Sequence, residues 1–466
     1  MKETYFHSVK IAQQACRGCT FCVKHCPTEA IRVRNGKAVI LPNRCIDCGT
    51  CIRNCPFHAP VAEADKLQRL QDYKYNIVLP PPSLYAQFPE NIHRETIWQG
   101  LMQLGFDEIF DVALASDYIA VEIEKFIRTH AGKNRTYISC ACPAVLRLIQ
   151  VKFPELIPWI IPVLPPAEAA AIYIKNKAAR EQHLDKDEIG VWFIAPCPSK
   201  GANIHQAVEV LHPEITGAFT VSAIYSLIRK NLKNLPDEKF TKPVSKGSSY
   251  GMGWGVYGGE LQAAGLTNAI AVHGLDEVRD VLEQLSLNKM PGLDYVECSA
   301  CQSGCVGGPL VSENRFVAET NLKRRIANMR KREPETREAA LQMTMTCTGF
   351  PVSKNYVKPL SPRPMMQLDD DINLAMQKVE RMETLLQRLP GLDCGVCGAP
   401  SCRCLAEDIV QGRAHEMDCI FKLRSQVKKL AYGMAELSQQ LPLNDDNALA
   451  DGLKVQEEDG KRHETD

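Results

Sequence analysis

The sequence predicts an α/β protein whose central module contains parallel sheets and is flanked by two small cysteine-rich modules. Two observations support this prediction. The 20 cysteines form three groups, with eight in residues 16–55, seven in 140–347 and five in 394–419. Strand-like and helix-like segments alternate through the middle of the chain, which is the pattern of parallel βαβ units.

The composition excludes several classes of protein. Lys+Arg and Asp+Glu both number 55, and a protein that binds nucleic acid or an anionic membrane usually has a basic excess. The longest apolar stretch, residues 157–174, contains four prolines and Glu168, so it is not a membrane span. The first 19 residues contain no apolar signal segment. We therefore expect a cytoplasmic protein whose cysteines bind metal–sulfur centres rather than form disulfides.

Shifts in composition predict five segments along the chain. They are a cysteine-rich module (1–62), the central α/β module (63–335), a proline-rich linker (336–370), a helix with a second cysteine-rich module (371–442) and a polar disordered tail (443–466). In the central module we predict strands at 76–79, 135–139, 190–195, 269–272 and 294–297. The helical period predicts helices at 95–104, 118–130, 144–153, 167–178, 221–232 and 276–287.

The N-terminal module contains the motif C-x2-C-x2-C-x3-C-P twice. Three thiolates on one tight loop hold three corners of an iron–sulfur cubane, and in two-cluster ferredoxins the fourth cysteine of each run ligates the other cluster. We therefore predict one [4Fe–4S] cluster on Cys16, Cys19, Cys22 and Cys55, and another on Cys45, Cys48, Cys51 and Cys26. The alternative, a zinc site, fits less well because zinc sites usually close with two ligand pairs.

Three cysteine loops in the central module each follow a predicted strand. They contain Cys142, Cys197 and the pair Cys301 and Cys305. Ligands of open α/β sheets bind beyond the carboxyl ends of the strands, so these four thiols are expected to converge on one cofactor. Three glycines beside the last cysteine would let a bulky inorganic group approach closely: Gly304, Gly307 and Gly308. The alternative is a set of buried structural thiols.

At these loops the sequence resembles the [FeFe]-hydrogenases. The stretches SCACPA, PCPSK and YVECSACQSGCVGG are similar to the three active-site signatures of that family. Residues 105–122 and 152–159 resemble further family segments, and the resemblance runs in order through about 76–325. It implies an H-cluster domain of two parallel-sheet lobes flanked by helices, behind an N-terminal ferredoxin domain with two [4Fe–4S] clusters.

The resemblance also implies the cofactor and its ligands. The H-cluster is a [4Fe–4S] cubane joined through one cysteine to a diiron centre that carries CO, cyanide and a bridging dithiolate amine. By position, Cys142, Cys197 and Cys301 match the cubane ligands, and Cys305 matches the bridging cysteine. Lys200 matches a lysine that hydrogen-bonds a cyanide, a role that suits an ammonium group in a dry pocket.

The sequence departs from the family pattern at the position that handles protons. Ala141 stands where active hydrogenases have a cysteine that relays protons to the bridging amine. The reaction H2 ⇌ 2H+ + 2e− needs a proton carrier beside the metal, and alanine has no transferable proton. Ser299 replaces a methionine and Asn203 replaces a glutamate. These changes resemble the divergent, sensory branch of the family, which keeps the H-cluster and turns over slowly.

Three other residues near the signatures are candidate proton carriers. Glu297 is retained, and Cys140 and Cys298 lie next to the predicted site. The alternative for Glu297 is a buried structural acid, and the alternative for each cysteine is a buried thiol. Strand alternation does not settle which of the two cysteine side chains faces inward.

The C-terminal cysteines follow the pattern C-x2-C-x4-C-x16-C, formed by Cys394, Cys397, Cys402 and Cys419. This resembles a small [4Fe–4S] domain of electron-transfer complexes and sensory hydrogenases, with zinc as the alternative. The helix that follows places apolar residues on one face: Ile420, Leu423, Val427, Leu430, Met434, Leu437 and Leu441. Packing of this face on its own domain and pairing in a homodimer are both open.

The sequence thus predicts an oxygen-sensitive iron hydrogenase of the ferredoxin type, with an H-cluster and three additional [4Fe–4S] clusters. It would catalyse reversible H2 oxidation slowly and serve in H2 sensing. The expected partners are H2, protons, a ferredoxin or other redox protein and a separate signalling protein, without nucleic acid or membrane. Cys347 and Cys404 receive no role.

Two alternatives remain open at this stage. One is an ordinary ferredoxin-linked hydrogenase that uses another proton route. The other is a hydrogenase-like protein of iron–sulfur assembly or electron transfer that binds no diiron centre. Lys200 and the glycines around Cys305 count against the second alternative.

Overall fold

A computed structural model describes residues 5–130, 132, 135–232, 244–352, 357–363 and 368–440. The chain divides into two units, one formed by residues 1–367 with 398–400 and the other by 368–397 with 401–466. The predicted tail at 443–466 lies outside the described residues. Within them, every helix is too short or too polar to cross a membrane.

The strands of the first unit form two parallel sheets and two antiparallel pairs. In chain order they are β1 (Val9–Ile11), β2 (Ile31–Arg34), β3 (Lys37–Ile40), β4 (Pro60–Ala62), β5 (Tyr75–Leu79), β6 (Glu108–Ile109), β7 (Tyr137–Ile138), β8 (Ile189–Ala195), β9 (Gly217–Thr220), β10 (Ala269–His273) and β11 (Tyr295–Ser299). One parallel sheet has the order β6–β5–β8–β9, and the other has the order β10–β11–β7. The pairs β1–β4 and β2–β3 build the N-terminal module. The predicted α/β class with two parallel-sheet lobes is confirmed.

The α-helices of the central module cover both parallel sheets. The α-helices of the described residues are α1 (Phe21–Lys24), α2 (Thr50–Asn54), α3 (Pro82–Tyr85), α4 (Arg94–Gln103), α5 (Val112–His130), α6 (Pro143–Lys152), α7 (Pro166–Gln182), α8 (Pro198–His205), α9 (Val221–Asn231), α10 (Ser249–Gly253), α11 (Gly259–Ala264), α12 (Leu275–Ser286), α13 (Arg315–Arg330), α14 (Arg337–Thr344), α15 (Ile372–Arg388), α16 (Cys402–Val410) and α17 (Ile420–Gln440). Every strand and helix predicted in the central module is present, with different ends. The short elements β6, β9, α3, α8, α10, α11 and α14 were missed, as was α13, where exposed Phe316 and Val317 obscure the apolar stripe.

The four-stranded sheet is buried on both faces. Val191 and Phe193 of β8 pack into one core with α5 and α7, whereas Trp192 and Ile194 pack into another core with α4 and α9. A strand that is buried on both faces has a continuous apolar sequence, which is why β8 could be recognised from its residues. This strand leads directly into the loop that contains Cys197.

The segment predicted as a linker at 336–370 contains the helix α14 in its first half, and the linker itself stays a prediction. Thr336 caps α14 by accepting a hydrogen bond from the Ala339 N–H (3.4 Å). Phe350 is buried and stacks on Tyr118 of α5, with 4.3 Å between the ring centroids. This packing could not be predicted from the sequence, because a single buried aromatic residue among prolines produces no periodic pattern.

Candidate metal centre

Four cysteines from three distant loops line one cavity beyond the ends of β7, β8 and β11. They are Cys142, Cys197, Cys301 and Cys305. The space inside it that small groups can occupy is about 50 Å³. All three strands belong to parallel sheets and point their carboxyl ends at it, which is where ligands of open α/β sheets bind. The structure therefore brings together the four thiols that sequence analysis placed on one cofactor.

Two of these cysteines stand at helix N-termini. Cys142 is the N-cap of α6 and Cys197 is the N-cap of α8, and each is followed by a proline at the first helical position. Proline suits that position because its φ is already helical and its missing N–H is not needed there. The N-terminal end of a helix carries partial positive charge, which favours the thiolate form of a cysteine. The sequence Cys-Pro thus both starts the helix and presents a metal-binding sulfur.

The third loop approaches other backbone segments closely at two glycines. Gly304 has φ +81°, and a Cβ on it would lie 2.7 Å from the Tyr257 nitrogen. A Cβ on Gly308 would lie 2.3 Å from the Pro196 oxygen. Both glycines also line the cavity. The predicted need for small residues around Cys305 therefore has a visible cause in backbone packing, in addition to space for a cofactor.

The cavity thiols are buried, which disfavours their charged form. Burial raises the pKa of Cys197 to about 12, and the neighbouring Cys142 and Cys305 contribute to this rise, whereas Lys200 opposes it. Burial also raises the pKa of Cys301 and of Cys305. Thiolates packed together in a dry cavity become stable only when metal ions share their charge. The donor set therefore fits an iron–sulfur group.

Lys200 supplies the single cationic side chain among the residues that line the two cavities described here. Its ammonium donates a long hydrogen bond of 3.4 Å to the Ala141 carbonyl oxygen and lies 5.8 Å from the Phe193 ring centroid. Burial lowers the pKa of Lys200, but the Cys305 and Cys197 thiolates raise it above its ordinary value. This lysine therefore stays charged and can donate hydrogen bonds to an anionic group.

A second cavity of about 60 Å³ adjoins the first and shares part of its wall. The shared residues are Ala141, Pro196, Lys200, Trp254 and Cys305. Cys305 is thus the one cavity cysteine that faces both spaces, as expected for a sulfur that joins a cubane to a second metal group. The buried Trp254 Nε1 has no hydrogen-bond partner among the described residues. A buried N–H without a partner is costly, and an acceptor on a bound group would satisfy it.

The structure separates the two cysteines that were candidate proton carriers. Cys140 is buried away from the cavity wall and donates a hydrogen bond to the Val163 carbonyl oxygen (2.9 Å). Cys298 lines the cavity, and burial raises its pKa well above the ordinary value. Ser299 also lines the cavity, whereas Asn203 instead donates to the Glu209 carboxylate (2.8 Å).

Glu297 lines the cavity together with a second carboxyl group, Glu260, which the sequence did not reveal. Glu297 accepts hydrogen bonds from the Gly258 and Leu261 N–H groups, at 2.7 and 2.9 Å. Burial raises the pKa of Glu297 to about 8, and the nearby Glu260 contributes to this rise. Glu260 stands at the start of the short helix α11, where no spacing motif marks it. A carboxyl group with a pKa near neutrality is suited to accept and release protons.

Glu260 connects this pair to the position of Ala141. The Ser139 hydroxyl donates to Glu260 Oε2 at 2.8 Å, and the Tyr295 hydroxyl also donates to Glu260. The Ala141 N–H in turn donates to the Ser139 oxygen at 3.2 Å. Burial raises the pKa of Glu260 as well. The Ser139 hydroxyl therefore connects the Glu260 carboxyl group to the backbone at Ala141.

Comparison with known families agrees with this geometry. The family model described as the iron only hydrogenase large subunit, C-terminal domain, matches residues 74–270 and 264–309, which together span half of the chain. The chain belongs to the iron-only hydrogenase family. A 4Fe-4S dicluster model matches residues 8–56 of this hydrogenase-family chain, and an Fe–S cluster model matches 389–421.

Individual relatives of this hydrogenase-family chain are distant. It is 21% identical over 257 residues to an NADP-reducing hydrogenase subunit, HndD, from Solidesulfovibrio fructosivorans. That match covers 45% of this chain and 44% of the relative, so the chain matches less than half the length of this relative.

Solved structures share the fold. One of them is the structure of the [FeFe]-hydrogenase HydA(deltaEFG), which describes stepwise assembly of the H-cluster. Its TM-score is 0.50 with 16% sequence identity. The aligned region covers 64% of this chain and 98% of the HydA chain. A variant of the [FeFe]-hydrogenase HydA1 from Chlamydomonas reinhardtii has the same TM-score with 15% identity and the same coverage.

The N-terminal module groups its eight cysteines in two sets of four. Burial raises the pKa of Cys22 to about 11, and the neighbouring thiolates add to this rise: Cys16, Cys19 and Cys55. Burial likewise raises the pKa of the second set, Cys45, Cys48 and Cys51, and Cys26 acts on all three. The crossed ligand assignment remains a prediction, and these neighbours support it.

His7 and Asp47 lie beside the second set and were missed by sequence analysis. The ligand atoms of His7, Cys45 and Asp47 lie within 4.8 Å of one another, and His7 Nδ1 is 2.8 Å from Asp47 Oδ2. They belong to the surroundings of the predicted second cluster. His7 is distant in sequence from the cysteine motif, so no spacing rule could have associated it with the site.

The N-terminal module contributes directly to the wall of the central cavity. Cys48 lines that cavity together with five cysteines of the central module. A Cβ on Gly49 (φ +77°) would lie 2.5 Å from Pro309, so this turn is packed tightly on the central domain. The Arg53 guanidinium donates a hydrogen bond to the Gly307 carbonyl oxygen. The second cysteine set is therefore adjacent to the central thiols.

The second unit contains the four cysteines of the C-terminal motif. Cys394 is exposed, Cys397 and Cys402 are partly buried, and Cys419 is buried just before α17. The Cys402 N–H donates to Asp393 Oδ1 at 2.6 Å, which fixes the loop at the start of α16. The unassigned Cys404 is buried in α16.

Proposed function

We propose that this hydrogenase-family chain holds an H-cluster and catalyses reversible H2 oxidation and proton reduction slowly, in the service of H2 sensing. The observation that supports this proposal is the pair of adjoining cavities joined at Cys305, with Lys200 and Ala141 on their shared wall. The first cavity has the donor set of a cubane, and the second has room for a further metal group. Ala141 in the shared wall has no transferable proton, which is why we propose a low rate.

When bound, the diiron centre would supply the site at which H2 is split or formed. Cys142, Cys197 and Cys301 would hold the cubane, and Cys305 would connect it to the diiron centre. Lys200 would donate a hydrogen bond to an anionic ligand and balance negative charge inside the dry cavity. Trp254 would donate its unpartnered indole N–H to an acceptor in the same space. These residues bind and orient the group.

Protons would move along the wall formed by Glu260 and Glu297. The Ser139 hydroxyl accepts from the Ala141 N–H and donates to Glu260, which lines the cavity together with Glu297. This observation favours the second candidate function, an ordinary ferredoxin-linked hydrogenase with an alternative proton route. Turnover separates the two candidates, because a competent route would leave the rate unaffected when a cysteine is introduced at position 141.

Electrons would pass through the N-terminal clusters, because Cys48 lies in the cavity wall. We propose two [4Fe–4S] clusters in residues 1–62 and one in the module at 371–442. A ferredoxin or another redox protein would exchange electrons with them, and a separate signalling protein would receive the output. The name of one relative, an NADP-reducing hydrogenase subunit, supports an electron-transfer role of this kind.

Infrared spectroscopy of the anaerobically matured protein tests the proposal. We expect absorption bands of metal-bound CO and CN−, which only a diiron centre of this type would introduce. A matched sample prepared without the maturation enzymes should lack these bands while keeping the visible absorption of its cubanes. Absence of the bands from the matured protein would instead favour a hydrogenase-like assembly or electron-transfer protein.

A further inference from the structure

The last described helix, α17, exposes a regular apolar seam. Its apolar residues alternate at spacings of three and four, which is the a/d pattern of a heptad repeat. The seam consists of Ile420, Leu423, Val427, Leu430, Met434 and Leu437. Each of these side chains is partly to largely exposed, from 47% at Leu423 to 71% at Met434. Leu441 would continue the pattern and lies outside the described residues.

Within the described residues, α17 contacts the adjacent turn at Glu416–Asp418 and has no buried face. None of the 21 residues of α17 is buried. An isolated helix of this length is only marginally stable in water, because most helical stability in proteins comes from packing an amphipathic face. The seam is about 27 Å long at 1.5 Å per residue. An apolar stripe of this length on an otherwise solvated helix indicates a missing partner helix.

We propose that two copies of this chain pair through α17 as a parallel, two-stranded coiled coil. The choice of residues in the seam points to this arrangement. The a positions are occupied by Ile420, Val427 and Met434, and every d position is leucine. β-Branched residues at a with leucine at d favour parallel dimers over larger assemblies.

The residues that flank the seam permit self-pairing. The e and g positions are Arg424, Gln426, Ala431, Gly433, Ser438 and Gln440. Only one of these six residues is charged, so no e residue would face a like-charged g residue across two identical helices. The lysines of the helix, Lys422, Lys428 and Lys429, occupy b and c positions on the outer face. A second copy of the chain could therefore pack on this apolar seam without like-charge repulsion.

The parallel orientation has a structural consequence for the C-terminal module. Cys419 immediately precedes α17, so it stands at the N-terminal end of the seam. In a parallel pair the helix axes are about 8–10 Å apart, and both N-termini lie at the same end. The two C-terminal cysteine sites would thus be neighbours, at a separation suited to exchange of electrons between protomers.

Sedimentation of the full chain under anaerobic conditions tests the proposal. We expect a concentration-dependent dimer, because three heptads form a short coiled coil. Leu430→Glu should give a monomer, since it places two carboxylates in the centre of the seam. Tyr432→Glu is the matched control, because Tyr432 is equally exposed on the same helix but lies outside the seam, and it should remain dimeric. A monomeric wild type, or a dimer that survives Leu430→Glu, would overturn the proposal.

Mixing charged variants tests the orientation. Leu423 faces its own copy only if the helices are parallel and in register. A mixture of Leu423→Glu and Leu423→Lys chains should therefore recover the dimer that neither chain forms alone. Failure of the mixture to recover a dimer would overturn the parallel arrangement. A monomeric wild type that sediments with phosphatidylserine vesicles would show instead that the seam and its lysines bind a membrane surface.

Discussion

Two sets of residues that line the central cavity differ in their proposed roles. The set proposed to hold metal, the metal wall, contains four cysteines and the buried ammonium of Lys200. The set proposed to transfer protons, the proton wall, consists of Glu260, Glu297 and Cys298, and alanine stands at position 141. In this proposal cofactor binding and proton delivery use different residues, so one can change without the other.

The largest effect should come from breaking only the metal wall. Cys305→Ser removes the sulfur that faces both cavities, so we expect loss of the CO and CN− infrared bands and of all H2 evolution. The visible absorption of the N-terminal clusters should remain, because their predicted ligands are separate. Cys347→Ser serves as the control, since Cys347 lies outside the cavity wall, and it should keep the bands.

Breaking only the proton wall should lower the rate and leave the cofactor in place. Glu297→Gln removes a carboxyl group with a pKa of about 8, and loss of a general acid or base typically costs about 10²–10⁴ in rate. We expect a decrease in this range, measured as H2 evolution with reduced methyl viologen, with unchanged infrared bands. Glu209→Gln alters a buried carboxyl group that does not line the cavity and should have little effect. Equal losses in both variants would contradict the proposed route.

Restoring the missing cysteine should sharpen the comparison. Ala141→Cys places a thiol on the shared wall of both cavities, and we expect turnover to rise by about 10²-fold, the lower end of the general acid–base contribution. The same viologen assay measures this change, and Ala141→Ser controls for the added volume. Unchanged turnover would mean that Glu260 and Glu297 already deliver protons at a sufficient rate.

The smallest effect concerns a buried carboxyl group outside both cavities. Burial raises the pKa of Glu168 to about 8 from its ordinary 4.5, so the folded state binds this proton more tightly than the unfolded state does. Its stabilising contribution is complete below about pH 4.5 and is lost as the pH rises through 8, by up to about 1.4 kcal/mol per pH unit.

Glu168→Gln removes this titration. The apparent melting temperature of the wild type should therefore fall more steeply between pH 5 and pH 8 than that of the variant, measured anaerobically. The exposed Glu155→Gln should follow the wild type. Parallel curves for wild type and Glu168→Gln would contradict the proposed titration.

The sequence was informative where the chemistry is contiguous. Each copy of the cysteine motif lies within eleven residues and the apolar run of β8 within seven, so spacing and burial could be derived directly. The convergence of three cysteine loops also followed, because parallel strands end at the same edge of a sheet.

The proton wall could not be derived in this way. Glu260 reaches the cavity from the short helix α11, and only tertiary packing places it beside Ser139 and Tyr295. Cys140 and Cys298 were indistinguishable by sequence, because Cys140 lies just after β7, where strand alternation no longer applies. The packing of Phe350 was hidden for a similar reason, since one aromatic residue produces no pattern.

Cys48, Gly49 and Arg53 contact the central module, so the N-terminal module cannot be exchanged independently of it. These residues close one side of the central cavity as well as carrying the second predicted cluster. A truncated chain that lacks the module would leave the central cavity open on that side and would lack the two predicted N-terminal clusters. Designed fusion proteins should therefore keep the two domains together. Otherwise, the residues that close this side of the cavity must be replaced before the protein is exposed to air.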